Sequence, residues 1–231
     1  MIPSPFHRNR PPRRWPSALF AFVAVLAISL SSRAQSSTNA PSARKTLLVL
    51  GDSLAAGYGV DPSESYPAVL QKWLQAMRLP VDVANAGVSG DTTAGGLRRL
   101  DWQLRRRIDV LLVALGGNDG LRGIAPASTR SNLLAIVAKA RARYPDVAIL
   151  IAGMQMPPNM GAEYTREFRD VFPAVAREAK ATLVPHLLEG VGGKPEFNQP
   201  DLIHPTPRGH EIVASNVWQV LEPVLGASRR R

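Results

Sequence analysis

An α/β fold is predicted for this chain: a mostly parallel five-stranded sheet with helices on both faces, three layers in all. Three observations carry that expectation. Short apolar runs alternate with stretches of helical periodicity from residue 45 to the end of the chain. The run 110–115, Val-Leu-Leu-Val-Ala-Leu, contains no polar residue, as a strand covered on both faces requires. Segments rich in Gly, Asn and Asp follow these runs, where α/β sheets gather their ligand-binding loops.

Residues 45–50 form the first predicted strand. Residues 66–77 form the first helix, with Leu70, Trp73, Leu74 and Met77 at helical spacing. Strand two is expected at 81–84, a helix at 92–103 and strand three at 110–115. A helix at 128–144 is ended by Pro145, since the residue before a proline disfavours helix, and strand four follows at 147–154. The helix over 164–180 carries Pro173, so a kink or break is expected there. A short fifth strand spans 182–184, and an amphipathic helix spans 208–225. Strand–helix–strand alternation implies right-handed crossovers and one parallel sheet.

Domain organisation follows from composition. Arg8, Arg10, Arg13 and Arg14 precede a 13-residue apolar stretch, 18–30, and the small-residue exit Ser32-Arg33-Ala34. That order describes a secretory signal peptide over residues 1–34, removed in the mature protein. The stretch falls short of the roughly 20 residues a bilayer-spanning helix needs. Residues 35–44 read as a flexible polar linker, and residues 45–228 as a single domain. A periplasmic or secreted protein is expected, held by its core alone because cysteine is absent.

The formal charge of +10 suggests nucleic acid as a partner, but the five arginines among residues 1–34 supply half of it and Arg229, Arg230 and Arg231 supply three more. No zinc knuckle, basic zipper or aromatic RNA-binding motif accompanies these charges, so nucleic-acid binding is not expected. The remaining charge permits weak peripheral contact with an anionic membrane surface. A monomer is expected.

Ser53 follows the first strand, and Asp201 and His204 stand three residues apart near the other end of the chain. A serine hydroxyl attacks a carbonyl only when a base takes its proton, and the base needs a group to orient it. His204 alone among the histidines has a carboxylate three residues before it, whereas His7, His186 and His210 lack one. Asp201 as a helix cap is the rival reading of that spacing. Attack on an acyl carbon creates an oxyanion, which needs donors already in place. The Ser53 and Gly90 backbone N–H groups and Asn118 are the candidates. Met154, Met156 and Met160 suit the lining of an apolar acyl pocket better than a Cu(I) site, since no His or Cys lies beside them. Asp52, Asp91 and Asp119 are expected to cap loops. No metal and no cofactor is expected.

Four blocks in this order, Gly51-Asp52-Ser53-Leu54, Gly90, Gly117-Asn118-Asp119 and Asp201 to His204, resemble the GDSL, or SGNH, hydrolases. The longer stretches Gly51-Asp52-Ser53-Leu54-Ala55-Ala56-Gly57-Tyr58-Gly59 and Ser89-Gly90-Asp91-Thr92-Thr93 are similar to the bacterial acyl-CoA thioesterase I / lysophospholipase L1 / arylesterase group of that family. The resemblance implies a flavodoxin-like sheet of order 2-1-3-4-5 with the site at its switch point. It implies a serine esterase that forms an acyl-enzyme on Ser53, with His204 as base, Asp201 orienting it, and the Ser53 and Gly90 N–H groups and Asn118 as the oxyanion hole. It also implies that Asp119, Gly120, Leu121, Arg122 and Gly123 form a loop touching the acyl chain; Met156 and Pro157 are further candidates for substrate contact. The expected substrate is a small acyl ester or lipid. A polysaccharide O-deacetylase and a non-catalytic periplasmic binding module are the rival readings.

Overall fold

The computed structural model describes residues 44–227. The signal peptide expected at residues 1–34 and the linker up to residue 43 lie outside the described residues. Five parallel strands form one sheet in the order β2-β1-β3-β4-β5. They are β1 (Lys45–Gly51), β2 (Val81–Gly87), β3 (Val110–Ala114), β4 (Ala148–Ala152) and β5 (Thr182–Val184). The helices are α1 (Ser53–Ala56), α2 (Tyr66–Ala76), α3 (Thr93–Gln103), α4 (Gly117–Leu121), α5 (Pro126–Arg143), α6 (Ala162–Glu178) and α7 (Pro207–Ala227). They lie on both sides of the sheet: α2 packs with α7, while α3, α5 and α6 pack in a row.

The central strands are apolar because both of their faces are covered. All five residues of β3 are buried, as are Leu47, Leu48, Val49 and Leu50 of β1. β2 extends three residues past its expected end, because it pairs with β1 along its whole length, out to Gly51 opposite Gly87. It is an edge strand with a half-exposed pattern, so Asn85 is tolerated within it. Helix α6 runs unbroken through Pro173, against the expected break. Phe168, Val171, Phe172, Val175 and Ala176 bury one stripe on both sides of the proline, and that packing holds the helix across the missing hydrogen bond.

Parallel pairing brings the carboxyl ends of β1, β2 and β3 to one edge, since Gly51 stands opposite both Gly87 and Ala114. The order reverses at β1, which lies between β2 and β3, and that is the switch point where open α/β sheets place their ligands. Ser53, the 88–92 segment and α4 all leave from this edge.

Candidate active site

Asp52 ends the turn out of β1, and its Oδ1 accepts from the Leu54 N–H at 3.0 Å, capping α1. Ser53 is therefore the first residue of a helix, lifted off the strand end with its N–H outside the helical ladder. His204 comes from a turn between β5 and α7 that is closed by the bridge of Asn198 with Pro205. Asp201 Oδ1 accepts from both the Ile203 and His204 N–H groups at 2.9 Å, and Leu202 takes a left-handed conformation, φ 58°. That turn folds the Asp201 and His204 side chains onto one another. Helix α7 begins only at Pro207, with the Thr206 hydroxyl accepting from Gly209, so Asp201 is not its cap.

The three candidate residues meet. His204 Nδ1 lies 2.6 Å from Asp201 Oδ2, and His204 Nε2 lies 2.9 Å from Ser53 Oγ. A carboxylate only accepts, so Nδ1 carries the hydrogen and Nε2 presents its lone pair to the Ser53 hydroxyl. Partial burial pushes the Asp201 carboxyl up, but the His204 backbone N–H, the imidazole and the Ile203 N–H outweigh it and bring the carboxyl down to about 2. Asp201 thus stays a carboxylate wherever the imidazole can act as a base. The Tyr58 ring packs against the imidazole, with centroids 4.5 Å apart.

Two further candidate groups, Gly90 and Asn118, stand on the segments that leave the same edge of the sheet. Gly90 adopts φ 78°, and a Cβ there would meet only the Arg122 guanidinium at an ordinary 3.6 Å, so glycine is needed for its backbone conformation rather than for space. Its carbonyl accepts from Arg122 Nη2 at 2.9 Å, and its N–H makes no hydrogen bond among the described residues. Asn118, in α4, donates from Nδ2 to the Asp91 carbonyl at 3.0 Å, and lies 3.4 Å from Asp52 Oδ2. Burial raises the Asp52 carboxyl to about 6, against the Leu54 N–H, His204 and Asn118.

Of the residues expected to touch substrate, Leu121, Arg122 and Gly123 are exposed, as is Pro157. Asp119 requires a correction. Its side chain is fully buried and turned inward, accepting from the Thr93 N–H at 2.8 Å, from the Thr93 hydroxyl and from Thr129 Oγ1 at 3.3 Å. A carboxylate in that apolar interior is tolerated because three donors satisfy it. Gly120 is also buried, with the Met156 thioether lying where its Cβ would go. Met154 and Met156 are buried, and Met160 packs against the core. Asp91 does not cap a loop as expected; it pairs with Arg99 Nε at 2.6 Å, and the same guanidinium donates to the Gly51 carbonyl at 2.9 Å. Arg99 and Gln199 support this edge without any local signal in the sequence. Among the described residues no cluster of His, Cys, Asp or Glu could hold a metal.

The model of the GDSL-like lipase/acylhydrolase family matches residues 49–212. Esterase TesA of Pseudomonas aeruginosa is 46% identical over 184 residues, covering 79% of this chain and 90% of that protein. Thioesterase 1/protease 1/lysophospholipase L1 of Escherichia coli K12 is 37% identical over 185 residues, 79% of this chain and 86% of that one. The crystal structure of TesA matches with a TM-score of 0.75 at 45% identity, covering 78% of this chain and 99% of the other. A sheet order, a family match over most of the domain and relatives of nearly full coverage agree, and the chain belongs to the GDSL-like lipase/acylhydrolase family as an ester-hydrolysing enzyme.

Proposed function

We propose that the enzyme cleaves esters and thioesters of single-chain acyl groups, such as lysophospholipids, fatty-acyl or aryl esters and acyl-CoA, through an acyl group carried on Ser53. The observation that carries this reading is the His204 imidazole bridging Ser53 Oγ and Asp201 Oδ2. In the first step Ser53 Oγ bonds to the acyl carbon while His204 Nε2 takes the hydroxyl proton. The carbonyl becomes an oxyanion, held by the Ser53 and Gly90 N–H groups and an Asn118 N–H. Asp201 stabilises the imidazolium. As the intermediate collapses, the bond to the leaving oxygen or sulfur breaks and His204 returns the proton to it. Water then repeats the sequence on the acyl-serine, releasing the acid and restoring the hydroxyl.

The preference for an acyl chain is supported by the rim. Tyr58, Val88, Leu121, Leu202 and Ile203 are large apolar side chains left substantially exposed, and each lies on a segment carrying Ser53, Gly90, Asn118 or His204. An apolar patch around polar catalytic groups suits an ester with a hydrocarbon tail. The polysaccharide deacetylase reading has no such use for it. The signal-peptide pattern of residues 1–34 supports action in the periplasm or outside the cell.

Two measurements test the proposal. A fluorophosphonate probe is expected to label the enzyme stoichiometrically and not to label Ser53→Ala. A panel of p-nitrophenyl esters of increasing chain length, run beside lysophospholipid and acyl-CoA, is expected to show turnover on medium and long chains. Activity confined to acetyl esters would favour the deacetylase, and absence of labelling would leave only a binding module.

A further inference from the structure

The two halves of the proton-transfer pair come from segments 151 residues apart in the chain, and a single hydrogen bond between side chains does not hold two loops in register. Gln199 spans that gap. Its Nε2 donates to the Tyr58 carbonyl at 2.7 Å and lies 3.2 Å from the Pro205 carbonyl oxygen. Both partners are acceptors, so the orientation of the amide follows from chemistry. The Gln199 main chain belongs to the His204 turn: its N–H donates to the His204 carbonyl at 2.8 Å, and its carbonyl accepts from Leu202 at 2.9 Å. Tyr58 in turn donates its N–H to the Ser53 carbonyl at 3.1 Å. The links form a closed circuit from Ser53 through Tyr58, Gln199 and His204 back to Ser53 Oγ.

A second observation is independent of these bonds. Gly59 has φ 77°, and a Cβ there would overlap the Gln199 amide. The backbone of the Ser53 segment is thus shaped to receive this side chain as well as to turn. The carbonyls of Tyr58 and Pro205 face the same amide, and losing it would leave both without that donor. Asparagine is one methylene too short to reach them, and glutamate would set carboxylate oxygens against carbonyl oxygens.

We infer that Gln199 is a positioning residue, whose side-chain amide joins the Ser53 segment to the His204 turn and keeps hydroxyl and imidazole at contact distance. The inference rests on the roles given above to Ser53 and His204. A displacement on the order of 1 Å in such a pair costs about a hundredfold in rate. Loss of Gln199 therefore acts on turnover more than on substrate binding, and on acylation and deacylation alike, since both pass through His204.

The test is turnover per active site, titrated with the fluorophosphonate probe, for Gln199→Met and Gln199→Glu at pH 8. Gln199→Met is expected to lower kcat by about ten- to a hundredfold with KM changed less than about threefold, and Gln199→Glu to fall further. A role confined to folding would reduce the titratable fraction or the Tm and leave turnover per labelled site unchanged; that outcome, or a Gln199→Met kcat within about twofold of the parent, overturns the inference. The native enzyme gives a second reading that no folding defect can spoil. In its amide spectrum the Gln199 side-chain NH2 is expected to exchange at least about tenfold more slowly than that of the exposed Gln75, and equal rates overturn the inference too. Retained activity in Ser53→Ala would overturn the proposed mechanism instead, so the two failures are separable.

Discussion

Arg99 Nε donates to Asp91 Oδ2 at 2.6 Å, in a pair whose side chains are only 21% and 12% exposed. The other end of the guanidinium holds the Gly51 carbonyl at 2.9 Å. One cation thus fixes the end of β1, from which Ser53 springs, to the segment that carries Gly90 and receives Asn118. Removing the cation leaves the Asp91 carboxylate largely buried and uncompensated, which for a buried pair costs on the order of 3 kcal/mol. Arg99→Met is expected to unfold at clearly lower urea concentration, and the double variant Arg99→Met with Asp91→Asn to recover part of the loss. Equal midpoints for the single and double variants would show that the pair is not what holds this edge.

Asn118 gives a sharper separation of chemistry from fold. One of its N–H groups is occupied by the Asp91 carbonyl at 3.0 Å, while Asp52 Oδ2 lies at a long 3.4 Å. The second N–H is thus only loosely engaged, as a donor proposed for the oxyanion hole requires. Asn118→Ala is expected to lower kcat by roughly 10²–10³ with an unchanged far-UV spectrum. Fluorophosphonate labelling should slow in step. Near-normal turnover would remove Asn118 from the mechanism.

The parts of this arrangement that were legible in the sequence are those with a local signature. The unbroken apolar run at Val110 announced a strand buried on both faces, and Asp201 and His204 announced each other by spacing. The edge strand β2 runs past the end its hydrophobicity predicts because its outer half, Asn85 to Gly87, is held by pairing with β1. Gln199 and Arg99 carried no signature: Gln199 bonds Tyr58 across 141 residues, and Arg99 reaches Gly51 across 48. The expectation that Asp119 touches the acyl chain rests on the family resemblance of the stretch it shares with Gly120, Leu121, Arg122 and Gly123, not on a signature of its own. Its partner Thr93 lies 26 residues earlier, and only the fold reveals that the carboxylate turns inward.

Tyr164 is expected to tune the segment proposed to meet the acyl chain without touching the chemistry. Its hydroxyl lies 3.0 Å from both the Gly120 and Ile124 carbonyl oxygens, pinning the two ends of the stretch that contains Leu121, Arg122 and Gly123. A net hydrogen bond is worth about 1 kcal/mol, or roughly fivefold in an equilibrium constant. Tyr164→Phe is therefore expected to change KM for long-chain p-nitrophenyl esters by about that factor while leaving kcat for p-nitrophenyl acetate within about twofold. A uniform loss across chain lengths would show that the hydroxyl serves the core rather than this segment.

Beneath the site, two buried groups respond to pH in opposite senses. His210 on α7 is 1% exposed and accepts the Tyr66 N–H on Nδ1 at 3.3 Å. Burial, with the nearby His204 adding to it, lowers its imidazole to about 4 from the ordinary 6.5. A group depressed in this way binds protons more readily when unfolded, so its contribution is present above pH 6.5 and is lost as the pH falls towards 4. Asp52, raised by burial from 3.8 to about 6, does the reverse: its contribution is present below 3.8 and is lost as the pH rises through 6. Between pH 6 and 4 the two nearly offset each other in the parent enzyme. Replacing His210 by Gln removes one side of that balance. The Tm difference between His210→Gln and the parent is expected to move in the variant's favour when thermal unfolding is repeated at pH 5 instead of pH 7, and a difference independent of pH would mean that His210 is not held neutral by its burial.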